Sequence, residues 1–169
     1  MTRAFHAQRI MLKSTENNNL KPVLIIGTGN DFRSDDAAGL ITARELKAAI
    51  GRYADIAESD GDGTKIMEMW KDYDKVIIID AVSFNSKPGT VHVLDAAAVK
   101  FPKESTAHSS HLFSVADAVE TAKAMGTLPE RVLIYGVEGK SFEMGTGVSD
   151  EVRKGIGEIK NLIQKEILI

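Results

Sequence analysis

The 169-residue chain contains no cysteine, and this absence excludes several kinds of chemistry. Disulfide bonds, thiolate metal ligands and cysteine-nucleophile mechanisms all need a residue that the chain does not have. The absence also fits a reducing compartment, and we expect the protein to be cytoplasmic. No apolar run approaches the roughly 18 residues that indicate a membrane span, so none is expected.

The chain also lacks a strong charge of either sign, since its formal net charge is only −3. Nucleic acid is not an expected partner, because binding a phosphate backbone requires a concentrated basic surface. Apolar residues make up 43% of the chain, which is enough at this length for one domain with a real core. We expect a monomer with a single domain at 22–169. Residues 1–21 are interpreted as a flexible tail, with a transit peptide as the alternative, because no acid precedes Glu16.

Short apolar runs alternate with amphipathic segments along the rest of the chain, and glycine, proline or polar residues separate them. Ser34 is expected to cap the first helix and Gly51 to end it, and either Ser149 or the turn before it is expected at the start of the last helix. Strands are predicted at 22–27, 55–59, 75–80, 90–94 and 131–137, and helices at 35–50, 64–71, 111–125 and from about 149 onwards.

This alternation predicts a three-layer α/β/α sandwich with a mostly parallel sheet of about five strands. The link at 81–89 carries Ser-Phe-Asn-Ser-Lys-Pro-Gly and has no helical pattern. It is shorter than the connection that two parallel strands usually need. We therefore expect the strand at 90–94 to be antiparallel to its neighbour and to lie at an edge of the sheet.

The segment GTGNDFRSDDAAG, residues 27–39, directly follows the first predicted strand. In sheets of this kind ligands bind beyond the carboxyl ends of the strands, and this rule selects residues 27–36, Asp80, residues 136–140 and the loop at 105–111. Among these, Asp36, Asp80 and His111 are the candidate ligands. Two carboxylates and an imidazole suit nickel, zinc, iron or manganese. Three protein ligands would leave positions open for substrate and water. Asp35 would orient or cap this site rather than bind the metal.

Other interpretations of the same residues stay open at this point. A dinucleotide site needs a third glycine where Phe32 stands, and the adjacent acids would repel a pyrophosphate. A receiver-like signalling module would use Asp80 as phosphoacceptor, the acidic pair for magnesium and Lys140 as its lysine, although eight residues separate the acids from the strand. Each acid taken alone is also explained as a helix-start or turn residue.

Four pieces of the sequence, taken together and in order, resemble the hydrogenase maturation endopeptidases. These are LIIGTGNDFRSDDAAG, VIIIDAVSFNSKPGTVHVL, SSHLFSVADAV and LIYGVEGKSFEMGTGVSDEV, and they cover most of residues 23–152. Two positions depart from the family pattern. Ala37 replaces a glycine that is common after the acidic pair, and Asp31 stands where an apolar residue is usual.

The resemblance implies a metal-dependent endopeptidase that removes the C-terminal extension of a nickel-iron hydrogenase large-subunit precursor. It places Asp36, Asp80 and His111 at the family's metal-ligand positions, with nickel supplied by the substrate and no organic cofactor. Gly27, Gly29 and Asn30, together with Asp35, would then form a substrate loop whose tight turn lets the partner's backbone approach. A related metal-dependent hydrolase with another substrate and the receiver-like binding module remain the alternatives.

Overall fold

The computed structural model describes residues 23–101 and 114–169. The predicted tail at 1–21 and the part of the third predicted helix before residue 114 lie outside the described residues. The five strands are β1 (Val23–Thr28), β2 (Asp55–Ser59), β3 (Lys75–Val82), β4 (Val91–Asp95) and β5 (Arg131–Glu138). The four α-helices are α1 (Ala38–Ile50), α2 (Gly63–Trp70), α3 (Val115–Met125) and α4 (Asp150–Leu168).

The five strands form one sheet in the order β2-β1-β3-β5-β4. The pairings of β1 with β2, β1 with β3 and β3 with β5 are parallel. Strand β4 is antiparallel to β5 and lies at the edge of the sheet, where Val91 pairs with Val137. The short link at 81–89 therefore leads into an antiparallel edge strand, as its length predicted. The expected fold class is confirmed.

Each face of the sheet is covered by a pair of helices, because alternate strand residues point to opposite faces. Ile25 and Ile77 pack with α1 and α4 on one face, whereas Ile26 and Ile78 pack with α2 and α3 on the other. The isoleucines of the central strand are fully buried, as expected for a parallel strand covered on both sides. Within the described ranges, no helix is both long and apolar enough to cross a membrane.

The start of the first helix differs from the prediction. Residues Ser34–Ala37 form a short 3-10 turn, and α1 begins only at Ala38. Ser34 does not cap this helix, because its φ is 51° and its hydroxyl donates to the carbonyl of Glu143 at 2.9 Å. The cap prediction was wrong because a contact with a loop more than a hundred residues later holds the serine instead. Gly51 follows the end of α1, as predicted.

The later helices begin at side-chain caps. Ser114 and Asp117 form a reciprocal capping box, and α3 follows from Val115, so this helix starts later than the predicted residue 111. Ser149 caps α4 by accepting a hydrogen bond from the amide of Val152 at 3.4 Å, as the sequence pattern predicted. Both caps lie at the carboxyl edge of the sheet, where the candidate site is found.

Candidate active site

Asp36 and Asp80 come together at the carboxyl edge of the sheet. Asp80 lies near the end of β3, and Asp36 lies in the 3-10 turn that follows β1. Because β1 and β3 are parallel neighbours, their ends deliver both carboxylates to one cavity of about 150 Å³. The other described residues that line this cavity are Ala81, Val82, Ser83, Phe84, Leu94, Phe101, Ser114, Val115, Ala116, Ile134 and Phe142.

The cavity disfavours the charged form of Asp80. Removal of its carboxyl group from water is the largest cause that raises its pKa, and the negative charge of Asp36 raises it further, to about 7. The amide of Ala81 and the hydroxyl of Thr28 act in the opposite direction. The Thr28 effect is small in our interpretation, because the single hydroxyl hydrogen is directed at the carbonyl of Ile79, 3.2 Å away. A carboxyl group of this kind is half protonated near neutral pH.

Asp35, the neighbour of Asp36 in sequence, has a different environment. It is 1% exposed, and its carboxylate accepts four hydrogen bonds. The amides of Lys140 and Ser141 donate to one oxygen at 2.8 and 3.0 Å, and the amide of Ser149 donates to the other at 2.6 Å. The Ser149 hydroxyl adds a fourth bond at 3.1 Å. Asp35 thus ties the turn that carries Asp36 to the loop between β5 and α4.

The glycine turn before the acidic pair positions the backbone of Asp36. Gly29 has a φ of 143°, and a side chain there would overlap the carbonyl of Asp36. The amide of Asn30 donates to that same carbonyl at 3.3 Å, and the Asn30 side chain accepts from the amide of Phe32 at 2.9 Å. A side chain at Gly27 would overlap the backbone of α1. The close approach at both glycines is therefore made by this chain itself, and the approach of a partner's backbone to this turn stays a prediction.

Two charged residues near the site have partners that limit what they can do. The Lys140 ammonium pairs with Glu151 of α4 at 2.8 Å, so it does not act on Asp80 as a receiver-like module would require. Asp31, which departs from the family pattern, forms two hydrogen bonds with Arg44 at 2.8 Å each, and the same guanidinium also binds Glu58. Asp31 therefore has a surface role, in which it joins the turn after β1 to α1.

The described ranges contain no group of three histidine, aspartate or glutamate side chains that could hold a metal ion. Asp36 and Asp80 supply two donors at the cavity. His111, the third ligand that the sequence predicts, lies outside the described residues. Ser114, three residues further along the chain, lines the same cavity.

Comparison with known proteins identifies the family. A family model described as hydrogenase maturation protease matches residues 40–166, which is most of the chain. The chain belongs to the hydrogenase maturation protease family. The family predicted from four sequence pieces is therefore confirmed. Asp80 lies within the matched range, whereas Asp36 precedes it.

Individual members of the hydrogenase maturation protease family resemble the chain over most of its length. The hydrogenase 2 maturation protease of Escherichia coli is 28% identical over 135 residues, which cover 77% of this chain and 80% of that protein. The solution structure of an endopeptidase from Escherichia coli has a TM-score of 0.71 at 24% identity and covers 85% of this chain and 90% of its own. HycI from Thermococcus kodakarensis, a [NiFe] hydrogenase maturation protease, has a TM-score of 0.66 at 21% identity, covering 94% and 99%. The structural likenesses show that the fold is shared.

Sequence reasoning missed Glu138, a buried acid at the end of β5 in this member of the hydrogenase maturation protease family. It is 3% exposed, and both carboxylate oxygens lie 3.0 Å from the amide of Phe84, which lines the cavity. The Nε2 atom of His92 lies 3.4 Å from one of these oxygens. Glu138 therefore holds the loop after β3 against β5. The signal was present in VLIYGVE, an apolar strand closed by an acid, which is the pattern that singled out Asp80.

Proposed function

We propose that the chain is an endopeptidase that removes the C-terminal extension of a nickel-iron hydrogenase large-subunit precursor and recognises the nickel that the precursor already holds. The observation that carries this proposal is the pair of carboxylates, Asp36 and Asp80, facing one cavity at the carboxyl edge of the sheet. Family membership supplies the reaction class. The names of the relatives, which include a hydrogenase 2 maturation protease and a [NiFe] hydrogenase maturation protease, support the substrate class.

The electrostatics of the pair favour a cation as the feature that is recognised. Burial and the negative charge of Asp36 together raise the pKa of Asp80, so two negative charges in this cavity are costly. A divalent cation placed between the carboxylates would offset both the repulsion and the loss of solvent. Carboxylate and imidazole are ligands that nickel accepts. His111 is proposed as the third ligand, and the position of Ser114 on the cavity wall supports it.

The cavity has room for substrate beside a metal ion. Its volume of about 150 Å³ exceeds the roughly 30 Å³ that one water molecule occupies in the liquid. Most of the wall away from the acids is apolar, with Phe84, Phe101 and Phe142 among its residues. These rings lower the local dielectric beside the carboxylates, which strengthens the electrostatic interactions there.

Asp36 and Asp80 would perform two tasks in the reaction. They hold and orient the precursor's nickel, which supplies Lewis acidity at the scissile carbonyl or positions the attacking water. Asp80 also exchanges a proton near neutral pH when no cation is bound, because its pKa is about 7. Tight binding of nickel requires the ionised carboxylate, so metal binding and proton release at Asp80 are coupled.

The raised pKa of Asp80 also favours a second mechanism for the same cleavage. A protonated Asp80 beside an ionised Asp36 would form an acid–base pair of the kind that hydrolyses peptides without a metal. The two mechanisms differ in what the precursor must bring. If the protein cleaves the nickel-free precursor as fast as the nickel-loaded one, this result would support the carboxyl-pair mechanism. Cleavage only after nickel loading would support recognition of nickel.

The test is to mix the purified protein with its nickel-loaded cognate precursor and to measure the precursor's mass. We expect loss of a C-terminal peptide with the wild-type protein. Asp36→Asn and Asp80→Asn should each slow processing by at least about a hundredfold, because each removes a group acting on the reacting centre. Circular dichroism should show an unchanged fold in both variants.

The matched control is Asp72→Asn, which makes the same chemical change at an exposed position between α2 and β3. It should process the precursor at the wild-type rate. An uncut precursor with the wild-type protein, while the Escherichia coli hydrogenase 2 maturation protease cleaves its own precursor in parallel, would contradict the proposed function. Undiminished cleavage by Asp80→Asn would contradict the proposed site.

A further inference from the structure

Two large apolar side chains are exposed on the loops beside the candidate active site. Phe32, in the turn after β1, is 65% exposed, and Met144, in the loop between β5 and α4, is 80% exposed. Exposed apolar residues are common individually, but side chains of this size clustered beside a binding cavity indicate an interaction surface. Their positions relative to each other and to the acids therefore need to be considered.

Backbone hydrogen bonds join the two loops that carry these residues. Arg33 forms a parallel bridge with Gly145, in which the Gly145 amide donates to the Phe32 carbonyl at 3.0 Å and the Ser34 amide donates to the Gly145 carbonyl at 2.9 Å. Phe32 directly precedes Arg33, and Met144 directly precedes Gly145, so the bridge brings the two backbone positions near each other. We refer to Phe32 and Met144 as the rim pair.

The loops that carry the rim pair are joined by several polar contacts. The Asp35 carboxylate binds the amides of Lys140 and Ser141 and both donors of Ser149. The Ser34 hydroxyl adds a bond to the Glu143 carbonyl at 2.9 Å. The two loops are therefore fixed to each other before any partner arrives. A surface organised in advance loses less conformational entropy on binding, which raises its affinity.

The rim pair is continuous with the cavity that contains the carboxylates. Phe32 belongs to the same short turn as Asp36, and the Asn30 side chain fixes its amide. Phe142, two residues before Met144, forms part of the cavity wall. A polypeptide that approaches Asp36 and Asp80 along these two loops would therefore meet the rim pair.

We propose that the rim pair is a docking surface for the precursor polypeptide that flanks the cleavage point, and that it binds apolar side chains of that segment. The inference rests on the proposed function and extends it to substrate selection. A second copy of this chain is a weaker candidate as occupant. Two side chains expose at most a few hundred Å², well below the roughly 1,200 Å² of a stable protein–protein interface. A segment already anchored in the cavity needs only such a small addition.

The experiment compares steady-state processing of the nickel-loaded precursor by the wild-type protein and by the double variant Phe32→Ser/Met144→Ser. We expect KM to rise by about tenfold or more. The loss of only a small apolar contact area is enough to weaken substrate binding by each factor of ten. The turnover number kcat should stay within about twofold, because neither residue touches the carboxylates that act on the reacting bond. This split between KM and kcat would not arise from a general loss of folded protein, which lowers the apparent kcat.

The matched control is Tyr53→Ser/Met125→Ser, which removes an aromatic ring and a methionine that are 45% and 64% exposed at the opposite edge of the sheet. Its KM should equal that of the wild type. An unchanged KM in the rim variant would overturn the docking inference, as would a fall in kcat alone. The inference would also be overturned if analytical ultracentrifugation showed that the wild type is a dimer and the rim variant a monomer, while the two proteins had the same KM. Failure of the wild type to cut the precursor would instead remove the proposed function, and the inference with it.

Discussion

Asp35 and Asp80 are two acids at the same edge of the sheet, and they have opposite environments. Asp35 is almost fully buried and accepts four hydrogen bonds from the loop before α4. Asp80 is partly buried, and the loss of water around its carboxyl group together with the negative charge of Asp36 raises its pKa to about 7. Two carboxylates that both lose water can therefore differ in how well the fold compensates their charge.

The difference lies in what compensates the charge. Four donors replace the water that Asp35 loses, so its charge contributes to the folded state by holding two loops together. The donors near Asp80 leave much of its desolvation uncompensated. Under the proposed function, the positive charge that arrives with the precursor would offset this cost. The comparison makes three quantitative predictions about the free energy of unfolding.

The largest effect is expected for Asp35→Ala, which leaves four partly buried donors without their acceptor. We expect the free energy of unfolding to fall by about 3–5 kcal/mol, since each unsatisfied buried donor costs about 1–3 kcal/mol and relaxation recovers part of this. Urea unfolding at neutral pH measures the loss. Ser149→Ala is the control: it removes one of the four donors and the cap of α4 and should cost only about 1 kcal/mol. Equal losses in the two variants would show that Asp35 does not hold the loops together.

The second effect is expected for Asp80→Asn, and it has the opposite sign. The pKa of Asp80 is about 7 in the folded protein against an ordinary value of 3.8, so protonation favours the folded state. This contribution is fully present below about pH 4 and is lost as pH rises through 7. The variant does not undergo this loss. Its stability relative to the wild type should therefore increase between pH 4 and pH 8 by roughly 2–4 kcal/mol.

Urea unfolding of both proteins across this pH range measures the Asp80 effect, because titrations shared by the two proteins cancel in the difference. A difference that does not change with pH would show that Asp80 ionises normally. Asp72→Asn, at an exposed position, supplies the baseline for removing one acidic group.

The smallest effect is expected on the surface, where the carboxylates of Asp31 and Glu58 share the guanidinium of Arg44. These groups are 40–45% exposed, and the hydrogen bonds from Arg44 hold the pKa of Asp31 below its usual value. Solvent screens such pairs, so Arg44→Met should lower the free energy of unfolding by less than about 1 kcal/mol. Unfolding at low and at 1 M salt checks this, because added salt should shrink the difference. A loss as large as that of Asp35→Ala would contradict the distinction between buried and exposed acids.

The sequence alone predicted the helices, the strands and the edge position of β4, because these depend on local patterns. The run KVIIID predicts a buried strand closed by an acid, and the non-helical link at 81–89 is too short for a parallel crossover. The rule that ligands bind beyond the strand ends then selected Asp36 and Asp80. Four short pieces in order were sufficient to recognise the family.

Only the tertiary structure decided which acids receive enough hydrogen bonds to compensate their buried charge. The donors to Asp35 lie at residues 140, 141 and 149, and no local periodicity relates them to the turn after β1. A separate long-range contact, from the Ser34 hydroxyl to the Glu143 carbonyl, keeps Ser34 from its expected cap, and Glu138 became visible as a loop anchor only through its contact with Phe84. A residue's type and spacing determine which element it joins, whereas the free energy of a buried charge depends on groups that the fold brings from elsewhere in the chain.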